Sequence, residues 1–263
     1  MFRKLLGAST VILALTLASC GGQGAKGINL FSIEDEIALG LQVKTEIESS
    51  PQDFPILPEA GNQQIYSYIR SLANRLLNTG QVAYRNEFAW EVKIIDDDET
   101  LNAFCTPGGY IYVYTGLIKF LDSEDQLMGV LGHEIAHAAL RHSTRQLTKL
   151  YGIQILASVI TGNADPGMIE QIALALVSLK FSRSHETEAD EYSVVYLCST
   201  DMNAAGAAGF FVKMEGQPTP PEFLSTHPDP GNRVTDIQSK KQELSCSGSK
   251  TNTPKYAQMK ALL

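Results

Sequence analysis

Apolar residues recur every three to four positions along most of the chain, a pattern that predicts amphipathic helices packed on a common core. The pattern is clear over residues 32–48, 62–77, 123–150, 186–197, 204–214 and 232–244. A capping box of Ser123 and Gln126 predicts the start of the third of these helices. Residues 88–95 alternate apolar and polar positions, and residues 110–114 follow a Pro-Gly-Gly turn, so both segments predict strands. The sequence therefore predicts a mainly helical α+β fold with a small β-sheet, in which residues 232–244 form the last helix.

Two strongly apolar stretches, residues 153–160 and 169–179, are separated by a turn-rich segment at 161–167. A helix that crosses a bilayer needs about 20 apolar residues, so each stretch is too short to span a membrane. We expect a helical hairpin that is buried in the core or partly presented to a partner.

One of the predicted helices contains the sequence His133-Glu134-Ile135-Ala136-His137. Two histidines four residues apart fall about 40° apart around a helix, so both imidazoles face one metal ion. The carboxylate of Glu134 then reaches a water in the open position of that metal, as a general base for hydrolysis must. Apolar neighbours indicate a buried helix rather than a chance match on a solvated surface. The motif predicts one Zn²⁺ per chain.

A hydrolytic zinc normally has three protein ligands and leaves its fourth position to water. The best candidate for the third ligand is Glu186, which shares a helix face with Asp190 four residues later. Asp190 is then placed to accept the free ring N–H of a ligand histidine. If the histidine motif were absent, the best interpretation of this segment would be an ordinary acidic helix surface.

Three further polar residues lie close to these motifs in the sequence. His142, five residues beyond His137, falls on another face of the predicted helix, so we expect a structural role for it. Glu188 points to roughly the opposite side of its helix from Glu186, and His185 receives no assignment.

The motifs resemble those of the zinc metallopeptidase family that includes the CAAX prenyl protease and HtpX, and within it the soluble lipoprotein branch of LoiP and BepA. Besides the residues above, the segment Asn102-Ala103-Phe104-Cys105-Thr106-Pro107-Gly108-Gly109 is similar to the family's NAF-x-x-PGG stretch. His227-Pro228 followed by Arg233 is similar to its late HP-x(4)-R element. The resemblance covers roughly residues 32–237, and one departure from the family pattern is Cys105, where a small residue such as alanine is expected.

This resemblance implies a gluzincin-type domain in which the edge strand of a small sheet borders the active-site cleft. It implies that an extended peptide substrate pairs with that strand, whose residues are Asn102, Ala103, Phe104, Gly108, Gly109 and Tyr110. It places His227 over the site, where this residue either assists catalysis or occupies the fourth position of zinc and keeps the enzyme latent. An ordinary surface histidine remains the alternative. Arg233 is expected to pair with a buried carboxylate.

The amino terminus has the features of a processing signal. Basic residues precede an apolar core, and residues 17–20, Leu-Ala-Ser-Cys, match a lipobox. We expect residues 1–19 to be a lipoprotein signal peptide, residues 20–31 a lipidated Cys20 with its tether, and residues 32–263 one zinc metallopeptidase domain. Gly21 after the cysteine favours the outer membrane of a bacterial cell envelope, with the domain facing the periplasm.

The formal net charge of −8 becomes −10 without residues 1–19, which hold two basic and no acidic residues. An acidic chain argues against nucleic acid as a partner. It also gives no electrostatic attraction to anionic lipids, so attachment to the membrane depends mainly on the lipid anchor. Of the 4 cysteines, Cys20 is assigned to lipidation. The others leave two possibilities open, a disulfide between Cys198 and Cys246 with Cys105 free, or three free thiols.

These features predict a membrane-anchored zinc metalloendopeptidase that hydrolyses peptide bonds in unfolded or misassembled envelope proteins, with Glu134 as general base. One alternative is a latent or inactive zinc-binding chaperone or scaffold lipoprotein. Retention of Glu134 argues against it, because structural zinc needs no general base and usually has four closed ligands. A zinc amidase acting on cell-wall peptides is a second alternative, and the NAF-x-x-PGG resemblance favours protein substrates over it.

Overall fold

The computed structural model describes residues 29, 31–165, 167–214, 222–228 and 231–263. Within these residues the helices are α1 (Ile33–Ser49), α2 (Gln63–Leu77), α3 (Thr115–Phe120), α4 (Glu124–Ala139), α5 (His142–Tyr151), α6 (Ile153–Ile160), α7 (Met168–Val177), α8 (Arg183–Cys198), α9 (Gly206–Met214), α10 (Glu222–Thr226), α11 (Arg233–Glu243) and α12 (Thr253–Lys260). The strands are β1 (Glu91–Ile95), β2 (Ala103–Thr106) and β3 (Tyr110–Tyr114). The predicted mainly helical α+β fold is confirmed.

The sheet has the strand order β1-β3-β2. The central strand β3 pairs in parallel with β1 and antiparallel with β2. A 3-10 turn at Pro107–Gly109 joins β2 to β3. At Gly109 φ is +85°, and an added Cβ would come within 3.0 Å of the Trp90 ring, so the turn requires glycine there.

Helix α4 lies at the centre of the fold. Every one of its residues except Gln126 is buried, and α8, α9, α2 and β2 pack around it. The contact with α9 is especially close: a Cβ added to Gly129 would lie 2.2 Å from the main-chain nitrogen of Ala207. The histidine motif therefore lies on a helix whose position is fixed on all sides.

The prediction of one continuous helix over residues 123–150 is wrong, because α4 ends at Ala139 and α5 begins at His142. Arg141 adopts the left-handed conformation between them, with φ 61° and ψ 33°. Its guanidinium donates hydrogen bonds to the carboxylate of Glu36 and to the carbonyl oxygens of Phe31 and Ser32 at the start of α1. These distant partners stabilise a break that the local apolar pattern does not reveal.

Two smaller expectations are also corrected. Ser123 is the N-cap residue of α4, but its hydroxyl contacts Asp125 while the Gln126 side chain accepts from the main chain of Asp122, so the capping box does not form. The segment 232–244 is not the last helix, because α12 follows it and packs on α2 and α4.

The two apolar stretches form α6 and α7, which both pack against α1. Leu156 and Ile172 are buried in this contact, whereas Ile153, Ile155 and Leu174 remain exposed. Among the described residues, no helix combines the length and the apolar character needed to span a membrane.

The structure bonds Cys198, at the end of α8, to Cys246 in the chain that follows α11. Cys105 on β2 is a buried free thiol. The predicted signal peptide, Cys20 and nearly all of the tether lie outside the described residues, and the proposed domain division stays a prediction.

Candidate metal centre

Helices α4 and α8 bring three of the predicted ligands together. The Nε2 atoms of His133 and His137 lie 3.0 Å apart. On α8, the carboxylate oxygens of Glu186 lie 3.4 Å from each of these nitrogens. All three side chains are buried. Because α8 packs closely on α4, two motifs that lie far apart in the sequence are adjacent in the structure.

His227, which follows α10, completes the cluster. Its Nδ1 atom lies 3.2 Å from His133 Nε2 and 3.2 Å from Glu186 Oε1. The ring is buried and stacks on Phe223, with ring centres 4.2 Å apart. The sequence left open whether His227 lies at the site or is an ordinary surface histidine. In the structure His227 lies at the site.

The donor atoms of His133, His137, Glu186 and His227 all lie within 4.8 Å of one another, so the cluster is able to hold a metal ion. Zinc bonds of about 2.0–2.1 Å in a tetrahedron separate neighbouring donor atoms by about 3.4 Å, close to the separations found here. Three imidazoles and one carboxylate are also a donor set that suits zinc. The residues present thus fit this metal.

Asp190 connects the cluster to α11. Its Oδ1 atom lies 2.8 Å from the Nδ1 atom of His133, the ring nitrogen that faces away from the cluster. Arg233 donates to both carboxylate oxygens of Asp190 at 2.7 Å, and donates to the carbonyl oxygen of His227 at 3.2 Å. The same guanidinium lies 3.2 Å from Glu186. Arg233 therefore pairs with a buried carboxylate and braces two sides of the site.

Glu134 lies beside the cluster without joining it. Its Oε1 atom is buried and finds no hydrogen-bond partner among the described residues. The nearest ring nitrogen of His227 is 3.7 Å away. A buried carboxylate oxygen normally requires a partner, so this atom is available to a water molecule or a substrate.

Burial and mutual contact shift the titration of these groups. Burial raises the pKa of Glu134, and it lowers the pKa of His137 well below its usual range. Burial also acts to lower the pKa of His133, but hydrogen bonds to Asp190 and Glu186 outweigh it and raise the value to about 9. For Glu186, burial is outweighed by the neighbouring His227 and by hydrogen bonds to histidines, which hold its pKa well below normal. The metal-free cluster thus favours an ionised Glu186.

Of the segment predicted to bind substrate, residues 103–106 form β2 at an edge of the sheet and pack on α4. Tyr110 lies on the central strand β3, whose main chain is paired on both sides. Gly108 and Gly109 lie in the turn between these strands. Only the β2 part of the segment therefore has an unpaired strand edge.

The register of β2 determines which of its groups face outward. Phe104 pairs with Tyr112, and Tyr114 donates to the carbonyl of Asn102, so the main chain of Ala103 and Cys105 points away from β3. The Ala103 N–H already donates to the side chain of Asn102 at 2.9 Å. The Cys105 carbonyl likewise accepts from Ser143 at 3.1 Å. A peptide at this edge would compete with these two bonds.

Sequence reasoning missed several side chains around the cluster. Phe181 packs on the ring of His137 with centres 3.9 Å apart, and Phe223 stacks on His227. His142 was expected on another helix face, yet its ring nitrogen lies 3.1 Å from that of His137. The helix break at Arg141 turns His142 back toward the site, and the left-handed residue carries no sequence signal.

Comparison with known proteins places these observations in a family. The sequence model of Peptidase family M48 matches residues 62–241, which is more than half of the chain. The match includes the histidine motif, Glu186, Asp190, His227 and Arg233.

Individual relatives agree with this match. The chain is 29% identical over 218 residues to the mitochondrial metalloendopeptidase OMA1 of Arabidopsis thaliana, covering 82% of this chain and 42% of the relative. It is 28% identical over 231 residues to the beta-barrel assembly-enhancing protease of Yersinia pestis, covering 81% and 45%. With the protein of that name from Escherichia coli, identity is 25% over 275 residues, covering 93% and 54%. The chain thus spans about half the length of these relatives.

Proposed function

The chain belongs to peptidase family M48, and from this premise we propose that it is a lipid-anchored zinc metalloendopeptidase acting on unfolded or misassembled proteins of the bacterial cell envelope. The observation that carries the proposal is the buried cluster of His133, His137 and Glu186, with Glu134 beside it. The names of the bacterial relatives, which are beta-barrel assembly-enhancing proteases, support the envelope as the site of action.

His133, His137 and Glu186 would hold the zinc ion. When bound, zinc supplies Lewis-acid polarisation of a peptide carbonyl and a water molecule of lowered pKa. Glu134 accepts a proton from the attacking water at its Oε1 atom and passes it to the nitrogen of the leaving amine. An extended peptide would pair with the outward main chain of Ala103 and Cys105 by displacing the side chains of Asn102 and Ser143, which favours substrates that are locally unfolded.

His227 would supply a fourth donor to the same metal, because its Nδ1 atom lies as close to His133 and Glu186 as these lie to each other. A catalytic zinc needs an open position, whereas four protein ligands close the site. We infer that this arrangement is latent and that His227 must withdraw before a substrate enters. Of the two roles considered for His227, blocking therefore fits the distances better than assistance.

The proposal is tested by cleavage of casein, an unfolded protein, by the chain from Gly21 onward, with zinc content measured in parallel. We expect the variant Glu134→Gln to bind zinc like the wild type and to lose activity by about 100- to 10,000-fold. We expect His227→Ala to bind zinc and to cleave faster than the wild type. A Glu134→Gln/His227→Ala double variant that cleaves like His227→Ala contradicts the assignment of the general base.

A zinc-binding chaperone or scaffold is the second candidate, and the four-donor cluster is the observation that favours it, because structural zinc sites are closed. The same experiment separates the two functions. Zinc binding without cleavage by either wild type or His227→Ala favours the scaffold.

Lipid anchoring is tested separately in cells. We expect the full chain to sediment with the outer membrane and to incorporate labelled palmitate, and Cys20→Ser to do neither. Soluble wild-type protein without label contradicts the anchor and leaves the peptidase proposal intact.

A further inference from the structure

The ring of His137 makes a polar contact on the side that faces away from the metal cluster. Its Nδ1 atom lies 3.1 Å from the Nδ1 atom of His142, the first residue of α5. His142 is completely buried, and the ring of His185 stacks on it with centres 4.2 Å apart and an interplanar angle of 12°. Packing therefore fixes the plane of the His142 ring.

The second nitrogen of His142 continues the contact to a carboxylate. His142 Nε2 lies 3.2 Å from the Oε2 atom of Glu188 on α8. The Glu188 side chain is 23% exposed, whereas Glu186, two residues earlier, is fully buried in the cluster. One helix thus contributes one carboxylate to the metal side of the site and another to its far side.

Metal binding determines which atoms donate and which accept in the contacts from His137 to His142 and from His142 to Glu188. If Nε2 of His137 binds a metal, it carries no proton, so the proton of the neutral ring is on Nδ1 and is donated to His142. Nδ1 of His142 must then be the acceptor, which leaves the proton of that ring on Nε2, facing Glu188. With both rings neutral, this is the only assignment that makes both contacts hydrogen bonds.

We propose that His142 and Glu188 are positioning residues that orient His137 and keep its metal-binding tautomer, so that they increase the affinity of the site for zinc. The two ligand histidines then have different supports. His133 contacts Asp190 directly, whereas His137 reaches a carboxylate through an intervening imidazole. Partners of this kind typically change metal affinity by 10- to 100-fold. The proposal rests on the proposed function only in requiring that His137 bind zinc through Nε2.

The test is a competition titration of zinc between a chelator and the metal-free chain. We expect Glu188→Ala and His142→Phe to weaken zinc binding by about 10- to 100-fold. His142→Asn should recover part of the loss, because its amide oxygen can accept from His137 Nδ1. Glu191→Ala is the matched control, since it removes an exposed carboxylate from the same helix and should leave the affinity unchanged.

Two further measurements exclude a purely structural role. Thermal unfolding in excess chelator reports whether a variant is folded, and Glu188→Ala, at a partly exposed position, should retain its stability. Nitrogen NMR of the zinc-loaded chain should show a protonated Nδ1 in His137 that shifts in Glu188→Ala.

The outcomes distinguish this proposal from the function on which it rests. In one outcome the wild type binds zinc and cleaves casein while Glu188→Ala and His142→Phe keep its zinc affinity. This result overturns the positioning role of His142 and Glu188 and leaves the peptidase proposal intact. A wild type that binds no zinc overturns both.

Discussion

Asp190 acts on two partners at once. It accepts from His133, a predicted metal ligand, and pairs through both oxygens with Arg233, whose guanidinium is almost fully buried. A buried charge is costly without a partner, so this carboxylate stabilises the fold as well as the orientation of the His133 ring. Helix geometry alone predicted that Asp190, four residues after Glu186, lies on the same face of the helix.

We therefore expect Asp190→Ala to lower the free energy of unfolding of the metal-free chain by about 3 kcal/mol, because Arg233 loses its bidentate partner. Urea denaturation in excess chelator measures this. Asp236→Ala, which removes an exposed carboxylate on α11, is the control and should change stability by less than about 0.5 kcal/mol. A double variant Asp190→Ala/Arg233→Met should recover much of the loss, because it removes the unpaired charge. If the double variant were as unstable as Asp190→Ala, an unpaired charge would not be the cause.

Residues on regular helices were the easiest to place. The spacing of His133 with His137, and of Glu186 with Asp190, predicts each pair's common face without any knowledge of tertiary structure. His142 was placed on the wrong face because this reasoning assumes an unbroken helix, and the break at Arg141 depends on α1, more than one hundred residues away. Local patterns carry no information about such distant partners.

At the scale of elements, the contact between α4 and α9 depends on a missing side chain. Alanine is a better helix former than glycine by about 1 kcal/mol, so local propensity alone predicts that Gly129→Ala stabilises the chain. We expect the opposite, a loss of about 1–3 kcal/mol, because the added methyl group would meet the main chain of Ala207 and force the helices apart. Thermal and urea unfolding decide the sign, and a stabilised variant would contradict the close contact between Gly129 and the main chain of Ala207.

Glu59, in the loop before α2, links that helix to β1. It pairs with Arg70 of α2 at 2.6 Å and with Lys93 of β1 at 3.3 Å. The hydrogen bonds from Arg70 are the main cause that lowers the pKa of Glu59 from about 4.5 to about 2. Because the folded value lies below the unfolded one, ionised Glu59 contributes stability that is fully present above about pH 4.5 and is lost as the pH falls through 2.

We expect Glu59→Gln to lower the free energy of unfolding at pH 7 by less than about 1 kcal/mol, since the carboxylate is 44% exposed and screened by water. The difference from the wild type should shrink as the pH is lowered from 4.5 toward 2, and 1 M salt should reduce it at pH 7. Urea titrations at several pH values measure it. A difference that is constant with pH would show that the lost charge is not its origin.

At the scale of the whole molecule, the candidate metal centre joins three distant parts of the chain: His133 and His137 of α4, Glu186 and Asp190 of α8, and His227 with Arg233 at the start of α11. The first two could be paired from sequence because each has its own helical spacing. The third has no periodic signal, because it is a single histidine before a proline, and its place over the site was expected only from the family resemblance. Its position comes from tertiary contacts, among them the bond from Arg233 to the His227 carbonyl.

The Cys198–Cys246 disulfide closes the part of the chain that carries His227 and Arg233, across a sequence separation of 48 residues. A cross-link of this span acts mainly on the unfolded chain, whose freedom it restricts. We expect the double variant Cys198→Ser/Cys246→Ser to lower the free energy of unfolding by about 2–4 kcal/mol in urea denaturation. A reductant should bring the wild type to the same value and leave the variant unchanged, since the remaining described cysteine, Cys105, is a thiol in both.

Zinc affinity provides the complementary measurement on the same double variant. In the folded chain, His227 and Arg233 are held by contacts to Glu186 and Asp190, none of which involves a cysteine. The folded variant should therefore bind zinc with a loss well below the 10-fold expected when a residue that supports a ligand is removed. A larger loss would mean that the cross-link also positions His227 in the native state, and the disulfide would then act on the metal centre as well as on stability.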